Sequence, residues 1–482
     1  MNVTLHKGYR YRIDDSWLTD EQIHQIRSQI GSRRYMWNQY AAWLDEHPDA
    51  KYTQVPSYKE FTPSMSWAHE IDSCVFDNAK RDFKKALKDH RKNPGHFGKP
   101  KRKKKRSAKK SFKTTNNNHS IWLRGSKLKI PRIGEPLRIV KHRCLPPGHR
   151  ITSVVIEETP SGKFFATVQF KVPAVLPERS YVDFDQMTAL DYSSPDFYVD
   201  EHGSSPDTPH AYRAGEDKLS SAMSERDRKE KGSKNKNRAR RRVARRSEDI
   251  ANVRKDFTEQ ESAAIVKQHS IVFVENLNLA NIARSLKLGK STADNGFGMF
   301  RDQLAYKLGD NGGLLVKVPR HFPSSKLCSH CGHKLGKLAL DEREWVCPNC
   351  GTHHRRDPNA AANLKEYGLF ALMASGYVAG VADENGEYYG LRECFGVGSP
   401  SPDWDGLLCL ARGHLPVPAG GTPVVTYAVD VLKAGFDDKE QRVMPVCLSM
   451  DYAGAFIASK RNSVATVTEA PTSAAHSAAS RG

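Results

Sequence analysis

The sequence lacks any long hydrophobic run. The uncharged stretch from Leu369 to Ala382 is shorter than the ~20 apolar residues that a helix needs to cross a membrane. The N-terminus, MNVTLHKGYRYRIDD, has none of the apolar core of a signal peptide. These absences argue against a membrane partner, and we expect a cytoplasmic protein.

Cysteine is also scarce. Of the nine cysteines, four fall into two C-x-x-C pairs, and the remaining five are scattered along the chain. Five unpaired residues do not make a disulfide framework, so a reducing compartment fits this pattern better than secretion.

Acidic residues are too few to balance the basic ones, and the formal net charge is +20. Residues 371–482 contain eight basic and twelve acidic residues, which leaves a surplus of +24 on residues 1–370. Such a surplus indicates a polyanionic partner, usually a nucleic acid, although a merely basic protein remains an alternative. The run KPKRKKKRSAKK (99–110) is expected to be an arm that neutralises phosphates, and KGSKNKNRARRRVARR (231–246) lies in a predicted charged helix or helix pair over 218–267.

Periodicity predicts the order of the elements. A strand at 8–13 precedes helices at 19–45 and 66–90, and strands at 138–142, 151–157 and 163–171 indicate an antiparallel barrel or sheet. From 183 onward we expect strands at 187–191, 196–203, 271–275 and 313–318, helices at 297–309 and 358–369, and a loop at 204–218. The Ser/Ala/Thr-rich tail 463–482 is expected to be disordered.

Two C-x-x-C pairs predict a structural zinc site. Cys328 and Cys331 are separated from Cys347 and Cys350 by the 15 residues typical of a zinc ribbon. Four thiolates complete the tetrahedral shell that zinc prefers, which leaves no open position for a substrate. The nearby histidines, among them His354, are interpreted as supporting groups or nucleic-acid contacts.

Three carboxylates stand at the ends of predicted elements. Asp191 ends one apolar strand, Glu275 ends the strand IVFVE, and Asp357 stands before Pro358 at a helix start, as an N-cap would. Carboxylates that converge in this way bind Mg²⁺ or Mn²⁺ and support phosphodiester hydrolysis. Taken singly, a residue in the position of Asp357 is more often just a helix cap, and one in the position of Asp191 or Glu275 just a turn residue.

The ordered motifs resemble the TnpB (OrfB) family of transposon-encoded nucleases and the related compact type V CRISPR effectors. The resemblance covers residues 5–370 and rests on KGYRYRI, GHFGKPKRKKK, KLKIPRIG (127–134), the basic segment 231–257, IVFVENLNL (271–279), PSSKLCSHCGH, WVCPNCG and HRRDPNAAANL (354–364).

The resemblance implies a multidomain α/β protein with an RNase H-like (RuvC) nuclease core that contains an inserted four-cysteine zinc ribbon. It implies a wedge-type β-barrel domain with a helical recognition insertion (1–182), the core in two parts (183–320 and 354–400) and the ribbon between them (321–353). Residues 401–462 have no counterpart in the family and no assigned role.

The same resemblance implies an RNA-guided DNA endonuclease of the bacterial cytoplasm and nucleoid. Its catalytic acids would be Asp191, Glu275 and Asp357, which would hold Mg²⁺ or Mn²⁺. Its partners would be a guide RNA and double- and single-stranded target DNA, with a monomer or homodimer on one guide. Candidate phosphate contacts are Lys101, Arg102, Lys103, Lys104, Lys105, Arg106, Arg238, Arg240, Arg241, Arg242, Arg245 and Arg246.

Two departures from the family pattern leave alternatives open. Tyr192 and Ser193 stand where a glycine usually follows the first aspartate by two residues, and Arg355 replaces a common acidic residue. A side chain at 192 or 193 could narrow the metal pocket, so a guide-dependent silencing protein remains an alternative. A DNA transposase is the other alternative, because some transposases share the core.

Overall fold

The computed structural model describes residues 2–105, 110–176, 181–183, 186–285, 289–320, 322–339, 341–374, 378–382, 388–390 and 447–449. Arg106, the segment 401–462 apart from 447–449, and the tail 463–482 lie outside the described residues. No helix in the described part is long and apolar enough to cross a membrane.

A seven-stranded antiparallel sheet forms the N-terminal part. Its strands are β1 (Asn2–Ile13), β2 (Ser111–Thr115), β3 (Trp122–Arg124), β4 (Lys127–Lys129), β5 (Leu137–Val140), β6 (Arg150–Glu158) and β7 (Phe164–Val175). They pair in the order β2-β6-β7-β1-β5-β4-β3. Among the described strands no ladder joins β2 to β3, so the expected barrel is an open sheet.

Two helices are inserted between β1 and β2. Helix α1 (Asp20–Glu46) starts at Thr19, whose hydroxyl accepts from the Gln22 backbone while the Gln22 side chain accepts in return, a capping box that confirms the predicted start. Helix α2 (Ser73–Lys92) begins later than predicted, because Asp72 caps it by accepting from the Cys74 backbone. Aromatic side chains such as Trp37 and Phe83 join the two helices, with ring centroids 5.2 Å apart.

A mixed five-stranded sheet forms the second part. Its order is β10 (Phe197–Asp200), β9 (Met187–Ser193), β11 (Ile271–Glu275), β12 (Leu314–Val318) and β17 (Cys447–Ser449). Strand β10 is antiparallel to β9, and the other neighbours are parallel. The apolar composition of β11 agrees with a strand buried on both faces. A small three-stranded sheet contains β8 (Tyr181–Asp183), β15 (Val378–Ala382) and β16 (Tyr388–Gly390).

Helices cover both faces of this five-stranded sheet. On one face α8 (Arg356–Ala374) packs against Ala189, Phe273 and Val316. On the other face α4 (Lys234–Gln268) and α7 (Phe297–Asp310) pack against Leu190, Val272 and Leu315. The remaining helices are α3 (Ala211–Asp227), α5 (Leu279–Ser285) and α6 (Gly289–Asn295). The loop predicted at 204–218 is wrong in its second half, because α3 already begins at Ala211.

Two ion pairs join the N-terminal sheet to the second part. Lys7 on β1 lies 2.9 Å from Asp310 at the end of α7, and Lys163 before β7 lies 3.1 Å from Glu248 on α4. The cysteine segment stands between β12 and α8 and contains the hairpin of β13 (Glu344–Val346) and β14 (His353–Arg355).

Candidate active site and metal centre

Strand alternation places Asp191 and Glu275 on the same face of the sheet. Side chains two residues apart in a strand point the same way, so Asp191 follows Ala189 and Glu275 follows Phe273 onto the face covered by α8. The parallel register pairs Phe273 with Ala189 and Val274 with Leu190. Extension of this register by one residue places Glu275 beside Asp191, at the strand spacing of about 4.8 Å. Glu275 is the last residue of β11, whereas Asp191 lies two residues before the end of β9, because this strand continues to Ser193 in its pairing with β10. Both acids therefore lie near the carboxyl ends of neighbouring parallel strands.

Helix α8 brings the third acid to this edge. Asp357 lies inside the first turn of α8, which begins at Arg356, so the predicted N-cap position is wrong. The helix approaches β11 very closely at Gly368, where an added Cβ would lie 2.0 Å from the Phe273 ring. The missing side chain at Gly368 thus sets the depth of α8 on the sheet.

The electrostatics of the three acids show that they lie close together. Burial, followed by the charges of Glu275 and Asp357, raises the pKa of Asp191 well above its usual range. Burial raises the pKa of Glu275 to about 7, although Arg320 and Arg301 act against this shift. The raised pKa values mean that keeping these buried carboxylates ionised costs free energy. A divalent cation bound between them would compensate their charge.

The Arg343 side chain contacts Asp357, the third acid. Its Nη1 atom is 3.3 Å and 3.5 Å from the two Asp357 carboxylate oxygens. The backbone carbonyl of Arg343 also accepts from the Arg356 amide at 2.8 Å, which fixes this loop beside α8. The three carboxylates do not converge as tightly as the four cysteines do. Because Arg343 contacts both carboxylate oxygens of Asp357, a metal ion would compete with Arg343 for this carboxylate.

The departures from the family pattern leave the acids in place. Tyr192 points to the opposite face of the sheet, where its ring packs 4.9 Å from that of Phe297. Ser193 is buried, and its hydroxyl donates to Asp196 at 2.9 Å. Arg355 is exposed, and its backbone lies opposite that of Glu344 in the β13–β14 hairpin. Tyr192 therefore does not narrow the space beside Asp191.

The four cysteines form a preorganised site. Their sulfur atoms all lie within 4.8 Å of one another. Cys328 is 3.6 Å from Cys350, and Cys331 is 3.6 Å from Cys347. A tetrahedral zinc–thiolate shell with bonds of about 2.3 Å separates its sulfurs by roughly 3.8 Å, so the spacing fits zinc. Burial raises the pKa of Cys328 to about 12, so this thiol ionises at neutral pH only beside a compensating cation.

The sequence reasoning placed His354 among the supporting groups but missed two asparagines that support this centre. His354 is buried against Trp345 and sets its Nε2 2.9 Å from the Cys328 sulfur, where a protonated nitrogen donates to the thiolate. Asn359 accepts from the Ser329 amide and donates to the Leu327 carbonyl, and Asn363 donates to the same carbonyl at 2.8 Å. The two asparagines are four residues apart and therefore lie on one face of the helix, and this spacing was the signal that the sequence offered. They couple the cysteine knuckle to the helix that carries Asp357.

The first basic run is partly docked on α1. The Trp37 indole donates to the Lys101 carbonyl at 3.0 Å, and Asn38 exchanges two hydrogen bonds with the Lys103 backbone. The Lys103 ammonium lies 3.2 Å from the centre of the Trp37 ring. Burial and the neighbouring Arg33 lower its pKa to about 8. Lys103 is thus a packing residue, whereas Lys101, Arg102, Lys104 and Lys105 are exposed.

The second basic run is divided between packing and solvent. Arg242 pairs with Glu225 on α3, Arg246 lies 3.8 Å from Asp249, and Arg240 donates to Asn237. The remaining arginines, Arg238, Arg241 and Arg245, are exposed at the i, i+3, i+7 spacing of one helix face. These three are the best placed of the run to contact phosphates.

Two family models and several relatives match the chain. Residues 185–286 match a family described as "Probable transposase" (OrfB_IS605), and residues 297–364 match the Cas12f1-like TNB domain. A relative from Streptomyces pristinaespiralis, provisionally named an RNA-guided DNA endonuclease, is 30% identical over 77% of this chain and 91% of its own length. The similarly named InsQ of Escherichia coli (strain K12) is 24% identical over 74% of this chain and 91% of its own.

Among solved structures, the chain is similar to one in the cryo-EM structure of the Cas12f1–sgRNA–target DNA complex. The TM-score is 0.47 at 12% identity, and the similarity covers 75% of this chain and 99% of that one. The identity and coverage of the Streptomyces relative, together with the OrfB match, show that the chain belongs to the TnpB (OrfB) family, which is related to the compact type V CRISPR effectors.

Proposed function

We propose that the chain is an RNA-guided DNA endonuclease that reads a short flanking motif and cuts guide-complementary DNA at a single RuvC-type site. The observation that carries the proposal is the placement of Asp191, Glu275 and Asp357 at one edge of the sheet, where burial and mutual repulsion raise the pKa of Asp191. The provisional names of the relatives support it.

In this proposal the three acids hold Mg²⁺ or Mn²⁺, and the four cysteines hold a structural zinc. The divalent ions would supply an activated water and stabilise the leaving oxygen of the phosphodiester. The residues of the chain supply the ligands and their orientation. Asn359 and Asn363 tie the cysteine knuckle to α8 and thereby hold Asp357 in position.

The domain assignments follow from the same proposal. The core was predicted from 183–320 and 354–400, but its five-stranded sheet also takes in β17 (Cys447–Ser449) from the segment without an assigned role. This sheet with its helices would be the RNase H-like (RuvC) core, interrupted by a zinc ribbon at 321–353. Residues 1–182 would be the wedge-type domain with its helical recognition insertion. The protein would act in the bacterial cytoplasm on nucleoid DNA, as a monomer or homodimer on one guide RNA.

The nucleic acids would be held by exposed cations. Lys101, Arg102, Lys104 and Lys105 are exposed in the basic run that contacts α1, and Arg238, Arg241 and Arg245 are exposed on one face of α4. Pairing between guide and target would supply most of the sequence specificity, as in other RNA-guided systems. Phosphate contacts of this kind weaken steeply as salt rises.

Substitution of the first acid tests the catalytic assignment. Asp191→Ala should abolish Mg²⁺-dependent cleavage and leave nucleic-acid binding intact, because it removes one metal ligand and leaves the rest of the fold in place. Asp207→Ala, an exposed carboxylate in the loop before α3, is the matched control and should cut normally. Normal cutting by the Asp191 variant would overturn the assignment.

A transposase is the second candidate, favoured by the family description "Probable transposase" for residues 185–286. It predicts joining of DNA ends independently of any guide. A guide-dependent silencing protein would bind but not cut. Cleavage assays with RNA-stripped and RNA-loaded protein separate the three functions, since cutting that requires RNA is expected of the endonuclease alone.

A further inference from the structure

The outer face of the N-terminal sheet carries a row of cations that the basic runs do not include. Strands β3, β4 and β5 bring Arg124 opposite Lys127, and Lys127 opposite Arg138. Their neighbours Leu128 and Leu137 are fully buried, so the cations point to the other, exposed side. Three positive side chains therefore stand in line across three strands, at steps of about 4.8 Å.

This arrangement works against the stability of the sheet. Like charges directly opposite each other on neighbouring strands destabilise a sheet. Among the described residues, Arg124, Lys127 and Arg138 form no salt bridge: Asp15 pairs with Arg12, and Asp14 is near enough to Arg138 only for its pKa to be lowered, chiefly by Ser16 and to a smaller extent by this charge. A row of this kind is complementary to the phosphates of a bound polyanion.

Two tryptophans flank the row. Trp17, in the connection between β1 and α1, is 62% exposed, and the Arg138 guanidinium lies 4.2 Å from the centre of its ring. At the other end Arg124 lies 5.0 Å from the ring centre of Trp122. Trp17 is thus an exposed indole and Trp122 a half-buried one, and each lies beside an arginine guanidinium.

Exposed aromatic rings beside cations fit unpaired nucleotides. A base in a duplex already has both of its faces stacked, whereas an unpaired base is free to stack on an aromatic side chain. The guanidinium groups would meanwhile contact the phosphates on either side of that base.

We propose that this face, defined by Trp17, Trp122, Arg124, Lys127 and Arg138, binds unpaired nucleotides of the bound RNA through stacking on Trp17. The inference rests on the proposed function for the identity of the ligand as RNA. It concerns binding alone, so it is tested without metal and without cleavage.

The experiment uses full-length protein stripped of RNA, in EDTA, with a fluorescent 12-nucleotide oligouridylate that contains 4-thiouridine. Photo-crosslinking followed by peptide mapping should place an adduct on the peptide that contains Trp17. Trp17→Ala should lower the affinity about tenfold and Trp17→Phe much less, since a phenyl ring still stacks. Replacement of Arg124, Lys127 and Arg138 by Gln should reduce the dependence of log K on log salt by about 2.

Tyr52→Ala is the matched control, because Tyr52 is also an exposed aromatic with a cation, Lys88, 5.5 Å from its ring centre. It should leave the adduct and the affinity unchanged. RNA binding without an adduct at Trp17, and without loss in Trp17→Ala, would overturn this inference and leave the endonuclease proposal standing. Tighter binding of oligothymidylate DNA than of RNA at the same residues would overturn the assignment to RNA. Failure of the stripped protein to bind any RNA would overturn both.

Discussion

Glu275→Gln should stabilise the metal-free protein at high pH. Burial raises the pKa of Glu275 from its ordinary value of 4.5 to about 7, so the folded protein holds an ionised carboxylate at a cost above that pH. Below pH 4.5 the group is protonated in both the folded and unfolded states and contributes nothing. As the pH rises from 4.5 to 7, the unfolded state releases its proton first, and the stability of the folded protein falls.

The magnitude follows from the difference between the two pKa values, which corresponds to about 3 kcal/mol at full ionisation. Between pH 5 and pH 8 the expected change is about 2.5 kcal/mol, since part of the cost is already present at pH 5. Glutamine is neutral and nearly isosteric, so it removes this cost. Glutamine also removes the Glu275 charge that raises the pKa of Asp191, and this too stabilises the variant relative to the parent at high pH.

The assay is denaturant unfolding in EDTA at pH 5 and pH 8, with Glu230→Gln as the control for an exposed carboxylate. The stability advantage of Glu275→Gln over the parent should grow by about 2.5 kcal/mol across this range, and that of the control should stay constant. An advantage that is equal at both pH values would refute the reasoning that Glu275 is buried and ionised at a cost. Saturating Mg²⁺ should raise the free energy of unfolding of the parent protein at pH 8 and should not raise that of Glu275→Gln.

Three further outcomes are expected. Gly368→Ala should destabilise the protein by about 1–3 kcal/mol or more, because its Cβ would overlap the Phe273 ring, whereas Gly336→Ala, which has open space, should not change the melting temperature. Asn363→Ala should cost about 1–3 kcal/mol, because the Ser324 carbonyl loses this donor and the Leu327 carbonyl keeps only Asn359, and chelators should then extract zinc faster. Elemental analysis should find about one zinc per chain, lost in the Cys328→Ser, Cys347→Ser double variant together with local folding; well-folded parent protein without zinc would contradict this.

The sequence was most informative where a short pattern determines a local structure. The four apolar residues of IVFVE predict a buried strand, and the structure confirms it at Ile271–Glu275. Thr19 and Gln22 mark a helix start through hydrogen bonds made within one turn. The two C-x-x-C pairs predict a site whose sulfurs do converge.

Contacts between distant segments could not be predicted in this way. Lys103 belongs to a run that is basic throughout, and nothing in the run distinguishes the lysine that packs on Trp37 from its exposed neighbours. Arg343 lies against Asp357 because the β13–β14 hairpin folds back onto α8. The late start of α2 depends on the Asp72 cap, since the residues before it carry a helical pattern but form a short 3₁₀ turn.

The central claim is that RNA directs cutting by the site at Asp191, Glu275 and Asp357. The most direct measurement is cleavage of a plasmid library by protein loaded with its co-purified RNA, compared with the same RNA after its pairing segment has been rewritten. The account predicts that the cut site moves to the new complementary sequence, requires Mg²⁺ or Mn²⁺, and disappears in Asp191→Ala. Site-specific cutting by protein stripped of all RNA would contradict it.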